Sequence, residues 1–197
     1  MVKFKNIVKH FKLVCKHKYY VYKYCAKAGM RWRGLKHDMS KFSPIEFFES
    51  VKYFDGSKSP IDVCKEKNGY SKAWLHHKGR NSHHYEYWVD NFDKGGQPLI
   101  MPYKDALELV CDYLGAGKAY MKENFSYGAE FKWWRDKIKN PIAMHPSIIS
   151  FVDALLLVMK EENNNDVLKF SRSYLYYKER VINKKEGFYD NLCRWRV

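Results

Sequence analysis

The chain lacks several things, and each absence narrows what it is. Its longest greasy stretch, Ala154–Met159, is far short of the roughly 20 apolar residues that span a bilayer, so no membrane partner is expected. Five cysteines (Cys15, Cys25, Cys64, Cys111 and Cys193) are scattered and never form a C-x-x-C pair, which argues against a disulfide framework and against a zinc ribbon or finger. No segment alternates apolar and polar residues with period two, no fixed-length repeat occurs, and low complexity is confined to Asn163–Asn165, so neither a sheet nor a solenoid is expected. The first 25 residues interleave lysines with apolar side chains instead of forming the apolar run of a signal peptide, and a cytoplasmic location is the expectation.

What the chain has is a core and positive charge. Hydrophobic residues make up 46% and aromatics 17% of 197 residues, enough for one packed domain and too much for global disorder. Lys and Arg number 36 against 22 Asp and Glu, a net +14. That excess favours anionic partners such as nucleotides, nucleic acids or acidic lipid surfaces, although a spread-out charge is also simply a solvated surface.

The pattern is helical. Phe4, Ile7, Val8, Phe11, Val14, Val21 and Cys25 predict a long amphipathic helix over 1–28, closed at Gly29. Ser43, Pro44 and Glu46 give a helix start with capping-box spacing, running to about Phe54. Residues 55–70 are rich in turn formers and predict an exposed insertion with a short helical turn. Ser71 opens a helix through "HHKGRNSHHYEYW" to about Trp88, and further helices begin at Pro102, near Trp133, at Ser147 and at Asp166. The fold class expected is all-α, a bundle of about six main helices. Residues 1–162 would form the main domain and 163–197 a C-terminal helix packed on it; the apolar content of 147–183 also permits a homodimer.

Four places carry metal-ligand chemistry: His17, the dipeptide His37-Asp38, the pairs His76-His77 and His83-His84, and Asp112. On a helix reaching Trp88, His77, Asn81 and His84 share one face, and His76, Arg80 and His83 an adjacent strip. Alone, such a strip is equally the polar face of a helix. Imidazole nitrogen with carboxylate oxygen is, however, the mixed set that holds a divalent metal (Mn, Fe, Zn, Mg or Co) with positions left open. Asp112, between apolar neighbours, calls for a buried partner. Glu86 and Glu108 are placed to orient imidazoles through their distal N–H groups, whereas His10 and His145 match nothing and read as structural. Lys41, Lys78 and Arg80 suit a phosphate, Arg80 through a bidentate contact. Trp74, Tyr85, Tyr87 and Trp88 suit either a stacking wall or the core.

With "HDMSK" at its centre, the order His17, His37-Asp38, histidines, Asp112 resembles the HD-domain superfamily of metal-dependent phosphohydrolases, all-α bundles in which a lysine often follows the dipeptide, as Lys41 does here. Three longer segments, "RGLKHDMSKFSPIEF", "AWLHHKGRNSHHYEYW" and "MPYKDALELVCDYLGAGKAY", look like one uncharacterised family of bacteria and their phages over roughly residues 10–160. The superfamily resemblance implies a first metal on His17, His37, Asp38 and Asp112, and a second on His77 and His84 with Asp38 bridging. Because both downstream histidine positions fall on one expected helix, a single-metal site with the histidine pairs on phosphate stays open.

The implied function is hydrolysis of a nucleotide or other small phosphorylated compound by a metal-activated water. Asp38, Lys41 and Arg80 would act at the reacting centre, and Lys41, Lys78, Arg80, Asn81, His76 and His83 would surround the substrate. An HD-fold di-iron oxygenase is an alternative, since some HD proteins with extra histidine ligands use an iron pair. A non-catalytic nucleotide- or nucleic-acid-binding module is another, supported by the charge and the interleaved aromatics.

Overall fold

A computed structural model of the chain describes residues 4–56 and 58–183; Cys193 and the end of the 163–197 segment expected to pack on the main domain lie outside the described residues. Among the described residues there are nine α-helices: α1 (Phe4–Lys27), α2 (Arg31–Lys36), α3 (Pro44–Tyr53), α4 (Pro60–Asn68), α5 (Lys72–Lys78), α6 (Tyr103–Met121), α7 (Tyr127–Lys137), α8 (Pro146–Glu162) and α9 (Phe170–Tyr177). The fold is all-α, and about six helices was an undercount. One addition is α2, in a segment that reads as a connection. Another is α4, where an exposed insertion was expected: Pro60, Val63 and Cys64 are buried, and Gly69, at a left-handed φ of 78°, closes the helix by donating its N–H to Lys65 O.

The core is built on α1, α6 and α8. Helix α1 runs unbroken and buries His10, Val14, His17, Val21 and Cys25 along one stripe, the 3–4 spacing of an amphipathic helix. Helix α6 is buried on nearly every side from Asp105 to Leu114, and α8 adds Ile148, Phe151, Val152, Leu155 and Met159. Burying each such side chain contributes about 1.5–3 kcal/mol. The approach of α1 to α6 is set at Gly115: a Cβ there would collide with Val21 Cγ2 and come within 3.0 Å of Val21 N. This close crossing brings His17 of α1 against Asp112 of α6.

The C-terminal segment, expected as one helix from Asp166 to about Asn183, is divided into a 3-10 turn at Asp166–Leu168, α9 and a π-helical turn at Lys178–Ile182. It is tied to α6 and its approach by Tyr177 Oη donating to Met101 O at 2.7 Å and by the Tyr103 and Ser173 hydroxyls at 2.8 Å. A two-stranded antiparallel hairpin, Val89–Asp90 with Gln97–Pro98, was not expected. Positive φ values at Asn91, Gly95 and Gly96 turn the chain there. No helix among the described residues is long and apolar enough to cross a membrane.

Candidate metal centre

The dipeptide His37-Asp38 lies in a sharp turn between α2 and a 3-10 turn, Met39–Phe42. Asp38 adopts left-handed backbone angles, φ 53° and ψ 28°, a conformation that Asp and Asn tolerate better than most residues. The reversal aims His37 and Asp38 at the same interior point, where both are buried.

Helix α5 ends at Lys78, well short of Trp88. The single helical face His77-Asn81-His84 therefore does not exist. The reason is local: the Asn81 side chain donates to His77 O at 2.7 Å and to Ser40 Oγ at 2.9 Å, taking the carbonyl that the next helical turn would use. Past Gly79 the chain turns instead, Ser82 Oγ donates to Asp105 Oδ1 at 2.6 Å, and both His83 and His84 swing inward. Ring centroids are 4.8 Å apart for His77 and His84 and 4.2 Å for His83 and His84.

Three groups of ligand-type atoms result: His17, His37, Asp38 and Asp112; Asp38, His77, His83 and His84; and, without Asp38, His37, His83 and Glu108. In the first, His17 Nε2 is 3.1 Å from Asp112 Oδ1 and 3.4 Å from Asp38 Oδ2, and His37 Nε2 is 3.3 Å from Asp38 Oδ2 and 3.4 Å from Asp112 Oδ1. In the second, His77 Nε2 and His83 Nε2 are 3.2 and 3.4 Å from Asp38 Oδ1. Atoms about 2.1 Å from one ion stand roughly 3.0 Å apart at right angles and 3.4 Å apart in a tetrahedron, so these spacings match shared coordination.

Despite the short distances, the Nε2 atoms of His17, His37, His77, His83 and His84 and the Oδ1 of Asp38 have no hydrogen-bond partner, while Asp38 Oδ2 faces Lys41 Nζ. Six buried polar atoms in one place without partners are costly, because each unpaired group forfeits about 1–3 kcal/mol of solvation. They gather with the carboxylates of Asp38 and Asp112 in one small volume. The donor set fits a divalent cation of the borderline class.

The opposite edges of these rings are tied down. His37 Nδ1 is 3.0 Å from Glu108 Oε1, and Glu108 accepts from Arg33 Nε at 2.6 Å. His77 Nδ1 is 2.8 Å and His76 Nδ1 2.5 Å from the two Glu46 oxygens. Such carboxylates fix ring orientation and tautomer at metal sites. Asp105, Glu108 and Asp112 recur at helical spacing on α6 and face the centre together. Glu46 did not stand out in the sequence, where it reads as a capping-box partner of Ser43. The Ser43 side chain caps nothing, and Glu46 serves the histidines instead.

The carboxylate charges agree with ligand roles, while for His37 and His77 burial is outweighed by Asp38, which raises both imidazoles above the ordinary histidine value. Burial alone would raise the Asp38 carboxyl, but His37, Lys41 and His77 hold it well below the usual carboxylate range. Burial likewise opposes ionisation of Asp112, and the neighbouring imidazoles of His17 and His37 outweigh it, holding the carboxyl well below the usual carboxylate range. His84 is held well below the ordinary histidine range by burial and by His83, leaving a neutral ring with a free lone pair.

The remaining sequence candidates separate. Lys41 Nζ stands 2.6 Å from Asp38 Oδ2; burial acts to lower its pKa, but Asp38 and Asp112 raise it above the ordinary lysine value. Lys41 lines a cavity of about 210 Å³ onto which His17, His77, His84 and Asp112 open, walled by Leu13 and Ile61. Arg80 is exposed and lines a separate groove of about 350 Å³ with Trp32, Lys36, His37 and His83. Lys78 is half-buried at the end of α5. His76 is engaged by Glu46, and Asn81 by the end of α5, while His83, expected on the substrate, joins the second ligand group. Trp74 meets the His84 ring edge-on at 5.0 Å, and Trp88 donates to Ser82 O at 2.7 Å. His10 lies in the cavity wall, its pKa lowered to about 4 by burial and by Lys41; His145 caps α8 by accepting from Ser147 N.

A family model described as a family of unknown function, DUF5662, matches residues 6–157. The chain belongs to this family. The DUF5662 match runs from α1 into α8 and contains all three ligand groups, Lys41 and Glu46. No curated protein and no solved structure matches the chain.

Proposed function

We propose that this DUF5662 protein is a metal-dependent phosphohydrolase of HD type, acting on a small phosphorylated compound in the cavity beside Lys41. The observation that carries the proposal is the set of six unpartnered buried atoms around Asp38, five imidazole Nε2 and Asp38 Oδ1. His17, His37, Asp38 and Asp112 would hold one ion, and His77, His83 and His84 a second, Asp38 giving one oxygen to each. A divalent ion there supplies Lewis acidity toward a phosphoryl oxygen and lowers the pKa of water.

The chain's own residues do the rest. Lys41 offers a fixed positive charge on the cavity side of Asp38 and neutralises charge that develops on the phosphoryl group. Glu46 and Glu108 keep the imidazoles in register. The apolar walls Leu13, Val14, Ile61, Ala73 and Ala116 limit bulk water and strengthen each charge contact inside. Arg80, on the other groove, is placed to meet a substrate only where it reaches past His37 and His83.

The direct experiment is an assay of purified protein, reloaded with manganese, against a panel of phosphomonoesters and phosphodiesters. Chelator-sensitive phosphate release is expected. Its absence across the panel, with metal bound, would overturn the reading. Glu108→Gln is expected to weaken metal binding about 10- to 100-fold, measured by competition with a chromophoric chelator, and an unchanged affinity would remove Glu108 from its orienting role.

A second reading draws on the three imidazoles of the second group, a histidine-rich set that suits iron. It is an iron-pair oxygenase, and oxygen uptake with iron-loaded protein in place of phosphate release would favour it. A purely electrostatic binding module gives no reason for buried, unpaired imidazoles.

A further inference from the structure

The cavity beside Lys41 does not end at the metal ligands. Past Ser59, Trp74, His84, Asp112, Ala116 and Tyr120, which both spaces share, it opens into a chamber of about 430 Å³, within the range of roughly 300–1,000 Å³ of small-molecule sites. The far wall of this chamber has a different chemistry. Tyr113 and Trp133 meet edge-on with centroids 5.1 Å apart, and Tyr85 lines the same space. Three polar atoms on that wall, Glu86 Oε2, Tyr113 Oη and Glu130 Oε2, are buried without a hydrogen-bond partner. Glu130, on α7, is only 2% exposed. Its position depends on Gly117 of α6, where a Cβ would collide with Glu130 Oε2. Burial, with the charge of Asp112, pushes the Glu130 carboxyl up to about 8.

None of these groups belongs to the metal centre, and each left unpaired is unfavourable. Lys58 and Lys137 also line the chamber, Lys137 Nζ standing 5.6 Å from the ring centroids of both Tyr85 and Trp133, so charge alone does not sort the two ends; Lys41, next to the ligand-type atoms, is the cation placed for a phosphate at that end. The other end asks for hydrogen-bond donors, and its flat aromatic walls ask for a planar ring. We propose that this chamber recognises the organic part of the substrate, a planar heterocycle bearing an exocyclic amino group, stacked on Trp133 with Tyr113 at its edge and its N–H donors on Glu86 and Glu130. The orientation rests on the phosphate-hydrolysing reading of the metal centre; the recognition does not.

The test is calorimetric titration of the full chain with nucleosides, which carry such rings and no phosphate, in pairs that differ by the amino group: cytidine against uridine, guanosine against inosine. The amino member of each pair is expected to bind about tenfold more tightly. Trp133→Ala, at a position 41% exposed, is expected to weaken both members alike. Glu130→Leu, with its fold checked by circular dichroism, is expected to shrink the gap to about threefold or less. Equal binding within each pair, no nucleoside binding at millimolar concentration, or ribose 5-phosphate binding as tightly as cytidine monophosphate would each overturn the inference. Nucleoside discrimination without any phosphatase activity would leave the inference standing and the hydrolase reading fallen. Phosphate release without nucleoside discrimination would do the reverse.

Discussion

Asp38→Asn is expected to strip both metal positions at once: elemental analysis should fall from about two equivalents of metal per chain to near zero. Asp38 is the one side chain common to the two four-residue ligand groups, its Oδ2 facing His17 and His37 and its Oδ1 facing His77 and His83. Asparagine keeps the size of aspartate and tolerates the left-handed φ of 53°, so the turn survives while the bridging negative charge is lost. An amide nitrogen in place of one oxygen also points N–H groups where a lone pair is needed. Phosphate release should drop by roughly a thousandfold, about 4 kcal/mol of transition-state stabilisation. The variant should keep the circular dichroism spectrum of the parent. Full metal content in a folded Asp38→Asn protein would contradict the assignment.

Removal of metal from the unaltered chain should produce the largest change in stability. Ligands that bind only the folded state stabilise it by about 4 kcal/mol per site at a free concentration a thousand times Kd, so two sites contribute about 8 kcal/mol. For a chain of this size each kcal/mol moves the midpoint by about 2–4 °C, which places the chelator-induced drop near 20 °C by scanning calorimetry. The physical source is the six atoms about Asp38 that have no other partner. An unchanged midpoint between chelated and manganese-loaded protein would mean that these atoms are satisfied in some other way.

The legible part of this protein was the part written in short-range pattern. The stripe on α1, Gly29 at its end and the apolar density of α6 and α8 are local signals, and they placed the all-α fold. His17, His37, Asp38 and Asp112 were likewise legible through their order along the chain, and the structure brings those four together. What was not legible depended on side chains competing with backbone. Asn81 ends α5 by taking His77 O, so the inward turn of His83 and His84 replaces a helical face, and His83 becomes a ligand candidate instead of a substrate contact. Glu46 shows the same limit. At capping-box spacing it reads as a helix-start residue, but His76 and His77, 30 and 31 residues away in sequence, claim it. Glu130 gave no signal at all, because its role is defined by Gly117 and Tyr113 across a helix packing.

The account rests on two metal positions that share Asp38. Crystals of the protein grown with manganese, measured at a wavelength where manganese scatters anomalously, test this most directly. Two anomalous peaks are expected, one among His17, His37 and Asp112 and one among His77, His83 and His84, each in contact with Asp38 and roughly 3.5–4 Å from the other. An empty anomalous map at Asp38, with manganese present in the crystal, would contradict it.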